Sequence, residues 1–209
     1  MKKIIVFVIF ITTISFSASI HDGIKAYEHK DYKTALNIFK ELGDFNTFNE
    51  ELAQYYLGKM YFKGIGVEID YEESHRWYLL SALQGNKESQ FFSGFMYNFG
   101  KNKDYKKAKI WYEKSALQGH AEAQYNLAEL YYHGSWFGIE QSLKKAAEWY
   151  EKAAIQSYTN AQLQLGIMYS NGWGVRQDLK IAKEWYGKVC DSGNQVGCDN
   201  YKKLNEQGF

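Results

Sequence analysis

The dipeptide Trp-Tyr occurs four times, at Trp77-Tyr78, Trp111-Tyr112, Trp149-Tyr150 and Trp185-Tyr186. Self-similarity at a period of roughly 20–50 residues marks a chain built by stacking one supersecondary unit. The register around these pairs is tight. Thirteen residues after the first three tryptophans stand Gln90, Gln124 and Gln162, and Gln54 completes the series ahead of Trp77. Four residues after each glutamine comes a small residue, Gly58, Gly94, Ala128 or Gly166. Seven after it is tyrosine, at Tyr61, Tyr97, Tyr131 and Tyr169, and ten after it is glycine, at Gly64, Gly100, Gly134 and Gly172. So many coincident positions exclude chance.

Each unit reads as two antiparallel helices. The small residue and the following tyrosine lie about one turn apart, so they share a face that a neighbouring helix can approach closely. KGIGV at 63–67 and NGWGV at 171–175 stop first helices, because glycine accepts the left-handed backbone of a helix end. Neither is a phosphate loop, since the third glycine and a preceding strand are missing. Asp70, Asp104, Ser142 and Asp178 stand four residues before Ser74, Ala108, Ala146 and Ala182, which predicts an N-cap for each second helix. DYKTA at 31–35 matches DYKKA at 104–108, so a shortened unit precedes the others, with Ala35 and Phe39 facing inward. The absence of proline suits such a chain.

This set of positions resembles the Sel-one-like repeat (SLR) family, relatives of tetratricopeptide repeats, over about residues 21–207. The resemblance implies an all-α fold, a right-handed α/α superhelix of stacked antiparallel pairs. The expected units are 20–49 (partial), 50–86, 87–120, 121–159, 160–194 and a polar capping helix at 195–209. The unit at 87–120 lacks the second turn glycine, and that at 121–159 carries Trp136-Phe137 in its turn.

Residues 1–19 read as a secretory signal peptide: Lys2 and Lys3, an apolar run from Ile4 to Phe16, then Ser17 and Ser19 at cleavage spacing, with the cut after Ser19. The run is short for a bilayer span, so the expected location is periplasmic or secreted, with no integral membrane segment in the mature form. Without Lys2 and Lys3, 23 basic residues face 24 acidic ones, a net charge of −1. Such a balance offers no electrostatic footprint for nucleic acid or anionic lipid.

Cys190 takes the place of Ala82, Ala116 and Ala154 at the end of a second helix, and Cys198 takes the glutamine position. The repeat folds these two side by side, so a disulfide is expected between the only two cysteines, and an exported chain meets the oxidising conditions it needs. No further ligands gather there for a metal, and the spacing is wider than the Cys-x-x-Cys of redox catalysts. The pair also resembles the cysteine-rich secreted SLR proteins, which staple every repeat and include some described as penicillin-binding beta-lactamases; a beta-lactam hydrolase is therefore the alternative from another class. Ser142 and Lys145 match the Ser-x-x-Lys pattern of penicillin-recognising enzymes, but the companion motifs are absent and the repeat assigns Ser142 to a cap. No catalytic residue, metal site or cofactor is expected.

In tetratricopeptide-like superhelices the first helices line the concave side. The groove positions are then one, five, eight and nine residues after each glutamine. They give Tyr55, Lys59, Phe62 and Lys63; Phe91, Phe95, Asn98 and Phe99; Tyr125, Glu129, Tyr132 and His133; and Leu163, Ile167, Ser170 and Asn171. A row so rich in aromatics predicts a surface for a protein or peptide partner. The resemblance implies roles as assembly scaffolds, envelope regulators, host-interaction factors or periplasmic immunity proteins against secreted lipase toxins.

Overall fold

The computed structural model describes residues 18–44 and 50–209, so the leader reading falls outside the described residues except for Ala18 and Ser19. Among the described residues are eleven α-helices, one short 3₁₀ turn and no strand. The first helices are α1 (Ile20–Glu28), α3 (Glu50–Lys63), α5 (Lys87–Phe99), α7 (Ala121–Tyr132) and α9 (Thr159–Asn171). Their partners are α2 (Tyr32–Asp44), α4 (Tyr71–Leu83), α6 (Tyr105–Leu117), α8 (Leu143–Ala154) and α10 (Leu179–Asp191), with α11 (Gln195–Glu206) last. Each helix packs on the one before it and the one after it, and α3 also touches α5. This is an all-α solenoid.

The caps close as the sequence requires. Asp70 accepts from the amides of Glu72 and Glu73 at 3.0 and 2.9 Å, Asp104 from Lys107 at 3.0 Å, Ser142 from Lys145 at 3.3 Å, and Asp178 from Lys180 and Ile181 at 3.0 and 3.1 Å. Each is worth about 1 kcal/mol. The same four residues donate their own amides to the carbonyls of Tyr61, Tyr97, Tyr131 and Tyr169 at 2.8–3.1 Å. One residue therefore starts the second helix and ties it to the end of the first.

The glycine four residues after the glutamine works through a different ring from the one its own helix supplies. A Cβ on Gly58 would sit 2.7 Å from Tyr78, on Gly94 2.6 Å from Tyr112, and on Gly166 2.5 Å from Tyr186. The tyrosine of three of the Trp-Tyr pairs thus lies on bare backbone, while Ala128 stands at the corresponding place in the unit of Tyr150, and Tyr78, Tyr112 and Tyr150 are wholly buried. Three of the four tyrosines seven after the glutamine instead carry lysines on their faces: Lys40 over Tyr61 at 5.9 Å, Lys107 over Tyr97 at 5.3 Å, and Lys109 and Lys145 over Tyr131 at 4.9 and 5.3 Å.

The repeated glutamines are at most 6 % exposed. Their Nε2 groups donate across to the preceding second helix: Gln54 to Gly43 O at 3.1 Å, Gln90 to Ala82 O at 3.2 Å, Gln124 to Ala116 O at 3.0 Å, and Gln162 to Ala154 O at 3.1 Å. Three accept in turn from the end of their own unit's second helix, from Gln84, Gln118 and Gln156, at 2.7–2.8 Å. An amide buried between units is thereby satisfied on both sides, as desolvation demands. In the shortened first unit Ala35 and Phe39 are fully buried, as expected, while α11 buries only Gly197 and Leu204 and ends the stack with a polar face.

Candidate functional site: an aromatic groove on the first helices

Several of the expected groove positions on the first helices bring their rings together. Phe62 of α3 meets Phe95 of α5 at 6.2 Å between ring centres, and Phe95 meets Phe99 at 4.9 Å. Together with Ile69, Tyr71 and His75 these rings line a cavity of about 820 Å³ that opens to solvent. Phe99, Ile69 and Tyr71 are each more than half exposed, although they are large and apolar. Asp70, Glu72, Lys101 and Asn102 form the polar part of the lining.

Lys59 lies one unit earlier in the same row, and its Nζ is 5.3, 5.9 and 5.6 Å from the ring centres of Tyr27, Tyr55 and Tyr56. Partial burial, and then the charge of Lys63, push its ammonium below the ordinary lysine range. Burial pushes the Tyr55 phenol up to about 12. Lys63 itself is exposed.

On α7, Glu129 stands among tyrosines of α7, of α8 and of the turn before α9. The Tyr150 hydroxyl of α8 donates to its Oε1, and His133 Nε2 stands 3.8 Å from its Oε2. Tyr125 packs on Tyr150 at 5.7 Å and on Tyr158 at 5.1 Å, and Tyr132 lies 6.5 Å from Tyr150. Burial first, and then the Glu129 carboxylate, push the phenols of Tyr125, Tyr132 and Tyr150 above their usual range. Tyr132, His133, Trp136 and Trp173 line an adjoining cavity of about 290 Å³.

Phe91 is corrected by the structure. It is 4 % exposed, stacked on His120 at 4.6 Å and set against Tyr112 at 6.0 Å, so it belongs to the core and not to the groove wall. The position after the glutamine turns toward the second helix of its own unit, and a large ring there fills the space between the pair. Asn98 is buried as well. Leu163 and Ile167 are half-buried against the cluster of Ala182, Tyr186 and Leu204, and the Ser170 hydroxyl lies 3.3 Å from that of Tyr186. Of the four expected groove positions in that unit, only Asn171 is exposed. The aromatic surface thus ends near Tyr132 and Trp173.

Several residues of this surface were not marked by the groove spacing. Phe92, two after its glutamine, stacks on Tyr78 at 4.7 Å and meets Phe62 at 5.6 Å. Tyr56 at the same repeat position stacks on Phe39 at 4.8 Å. Their shared register was the available signal. Tyr71, Ile69 and Trp173 come from turns and helix starts, where helical spacing gives no guidance.

The other candidates resolve into structure. Cys190 and Cys198 form a disulfide with their Cα atoms 4.4 Å apart. The Ser142 Oγ caps α8, and the Lys145 ammonium rests on the Tyr131 ring. Among the described residues, no three His, Cys, Asp or Glu side chains gather as metal ligands, and no helix is long and apolar enough to cross a membrane.

Comparison with known proteins agrees with this architecture. The chain is similar to a protective antigen of uropathogenic Escherichia coli strains that displays an SLR fold, with a TM-score of 0.82 and 30 % identity. The match covers 90 % of this chain but 41 % of the antigen, so the chain spans less than half of that relative's length. A Sel1 repeat protein from Oxalobacter formigenes aligns with a TM-score of 0.73 and 31 % identity, covering 85 % of this chain and 70 % of the other. Cysteine rich protein B of Helicobacter pylori shares the fold at a TM-score of 0.51 and 19 % identity, over 62 % of this chain and 96 % of its own. No curated protein sequence matches the chain. The Sel1 repeat model matches residues 52–86, 87–120, 121–158 and 159–194, the four units described above, and the chain belongs to the Sel1 repeat family.

Proposed function

We propose that this chain is an exported helical-repeat adaptor that holds a protein or peptide segment in the groove of its first helices. Sel1 repeat proteins generally mediate protein interactions. The observation that carries the reading is the 820 Å³ cavity, with Phe99, Ile69 and Tyr71 exposed around it. Core packing does not require these rings, and a cleft of this kind accepts the apolar anchors of a partner. Export is supported by the disulfide, since such bonds persist in oxidising compartments.

Cross-linking of the native protein, followed by mass spectrometry, identifies the captured partner. Phe99→Ala with Ile69→Ala should cut that capture at least ten-fold, while stability changes by no more than about 0.5 kcal/mol, as for surface positions. Unchanged capture by the double variant would remove the groove from the mechanism. In untreated cells both cysteines should resist thiol alkylation, and labelling of either would contradict export.

A further inference from the structure

Lys59 and Glu129 stand at the same place in their units, five residues after Gln54 and Gln124. Both are set among tyrosines. In the first case the chain supplies its own cation: Lys59 lies within 6 Å of three ring centres. In the second the chain supplies an anion. Among the described residues, no lysine or arginine pairs with Glu129 or lies over Tyr125, Tyr132, Tyr150 or Tyr158; its one basic neighbour is His133.

We infer that the Glu129 pocket receives a basic side chain, lysine or arginine, from the segment bound in the groove. This deepens the adaptor reading and rests on it. The carboxylate is partly exposed, at 26 % of its side chain, so an incoming cation reaches it. Tyr150 already donates to one oxygen and holds the group in place. Tyrosine faces attract a cation through their quadrupole, and the carboxylate adds its full charge. The adjoining 290 Å³ cavity takes the methylene stem, because Trp136 is 82 % and Trp173 42 % exposed on its walls. Long basic side chains pack in this manner, with the stem on apolar surface and the head on charge. Phe95 occupies the intermediate position of the row, so the groove runs from cation through apolar ring to anion.

The test titrates the purified protein with Nα-acetyl-lysine methylamide, its arginine counterpart and the uncharged norleucine counterpart, at equal ionic strength and about pH 8, where free imidazole is neutral. The readout is NMR of labelled tyrosine rings. Saturable shifts at Tyr125 and Tyr132 are expected with the two basic probes and not with norleucine. Glu129→Gln, which keeps an oxygen for the Tyr150 hydroxyl, should weaken them at least five-fold, and Leu83→Ala, at an exposed position on α4, should leave them unchanged. No saturable shift, an equal response to norleucine, or an unaltered response in Glu129→Gln would overturn the assignment. If those outcomes coincide with partner capture that still depends on Phe99, the adaptor reading stands without this pocket. Loss of that dependence with an intact basic-probe response would overturn the adaptor reading and the assignment built on it.

Discussion

Successive units of the stack meet at equivalent positions but are fastened by two chemistries. At Gly43–Gln54, Ala82–Gln90, Ala116–Gln124 and Ala154–Gln162, a buried glutamine amide donates to the last turn of the preceding helix. At the fifth junction the same two positions are Cys190 and Cys198, joined covalently. The difference follows from what covers each junction. Three of the interior glutamines also accept from a glutamine at the end of their own unit's second helix, and all four sit where water is excluded and a hydrogen bond counts for more. The last junction is covered only by α11, which buries two residues. A hydrogen bond there competes with solvent; a disulfide does not.

The strongest way to break an interior unit is to fill its backbone contact. Gly94→Val drives a side chain into Tyr112, which is fully buried and has nowhere to move. A loss of about 3 kcal/mol in denaturant unfolding is expected, with the damage spreading to both neighbouring units. Next, Cys190→Ala with Cys198→Ala should cost about 2–3 kcal/mol in the chain-entropy model, felt locally. Amide exchange in α11 should accelerate while that of α5 and α6 stays as it was; a uniform change would deny that the last junction is separate.

Gln90→Met is expected to cost about 1 kcal/mol, because the Ala82 carbonyl keeps the amide of Gly85 as a partner and Gln118 keeps the Gly85 carbonyl. A loss as large as that of the disulfide would show the two fastenings to be equal. The smallest effect lies at Ser157. It holds a φ of 64° where Gly85, Gly119 and Gly193 stand at the other junctions. Ser157→Gly should stabilise by about 0.5–1 kcal/mol, since glycine adopts that backbone without strain.

The solenoid, its caps and its cysteine pairing could be read from spacing alone, because each depends on a position recurring in every unit. Asp104 is a cap in the structure for the same reason that it lines up with Asp70 and Asp178. Groove membership was harder. Helical spacing places Phe91 and Phe95 one turn apart on the same face, and only the packing around α5 decides that the first is buried and the second half-buried. Glu129 was marked by its spacing, but its surroundings were not. Tyr150 comes from the partner helix and Tyr158 from the turn that leads into α9, and a period taken along the chain does not describe what meets across it. Trp173, read as part of a helix stop, reaches Tyr132 at 6.2 Å for the same reason.

The glutamine relay has a consequence for how such a chain changes length. Gln90 reaches back to the Ala82 carbonyl, and Gln124 reaches back to that of Ala116, so residues 87–120 present an acceptor forwards and its complementary donor behind. A second copy of that segment spliced in after His120 would find a fitting partner on either side, with no new contact to invent. Duplication and deletion in whole modules are therefore the inexpensive moves open to this architecture, and the length of the stack is set by counting copies rather than by redesigning any of them.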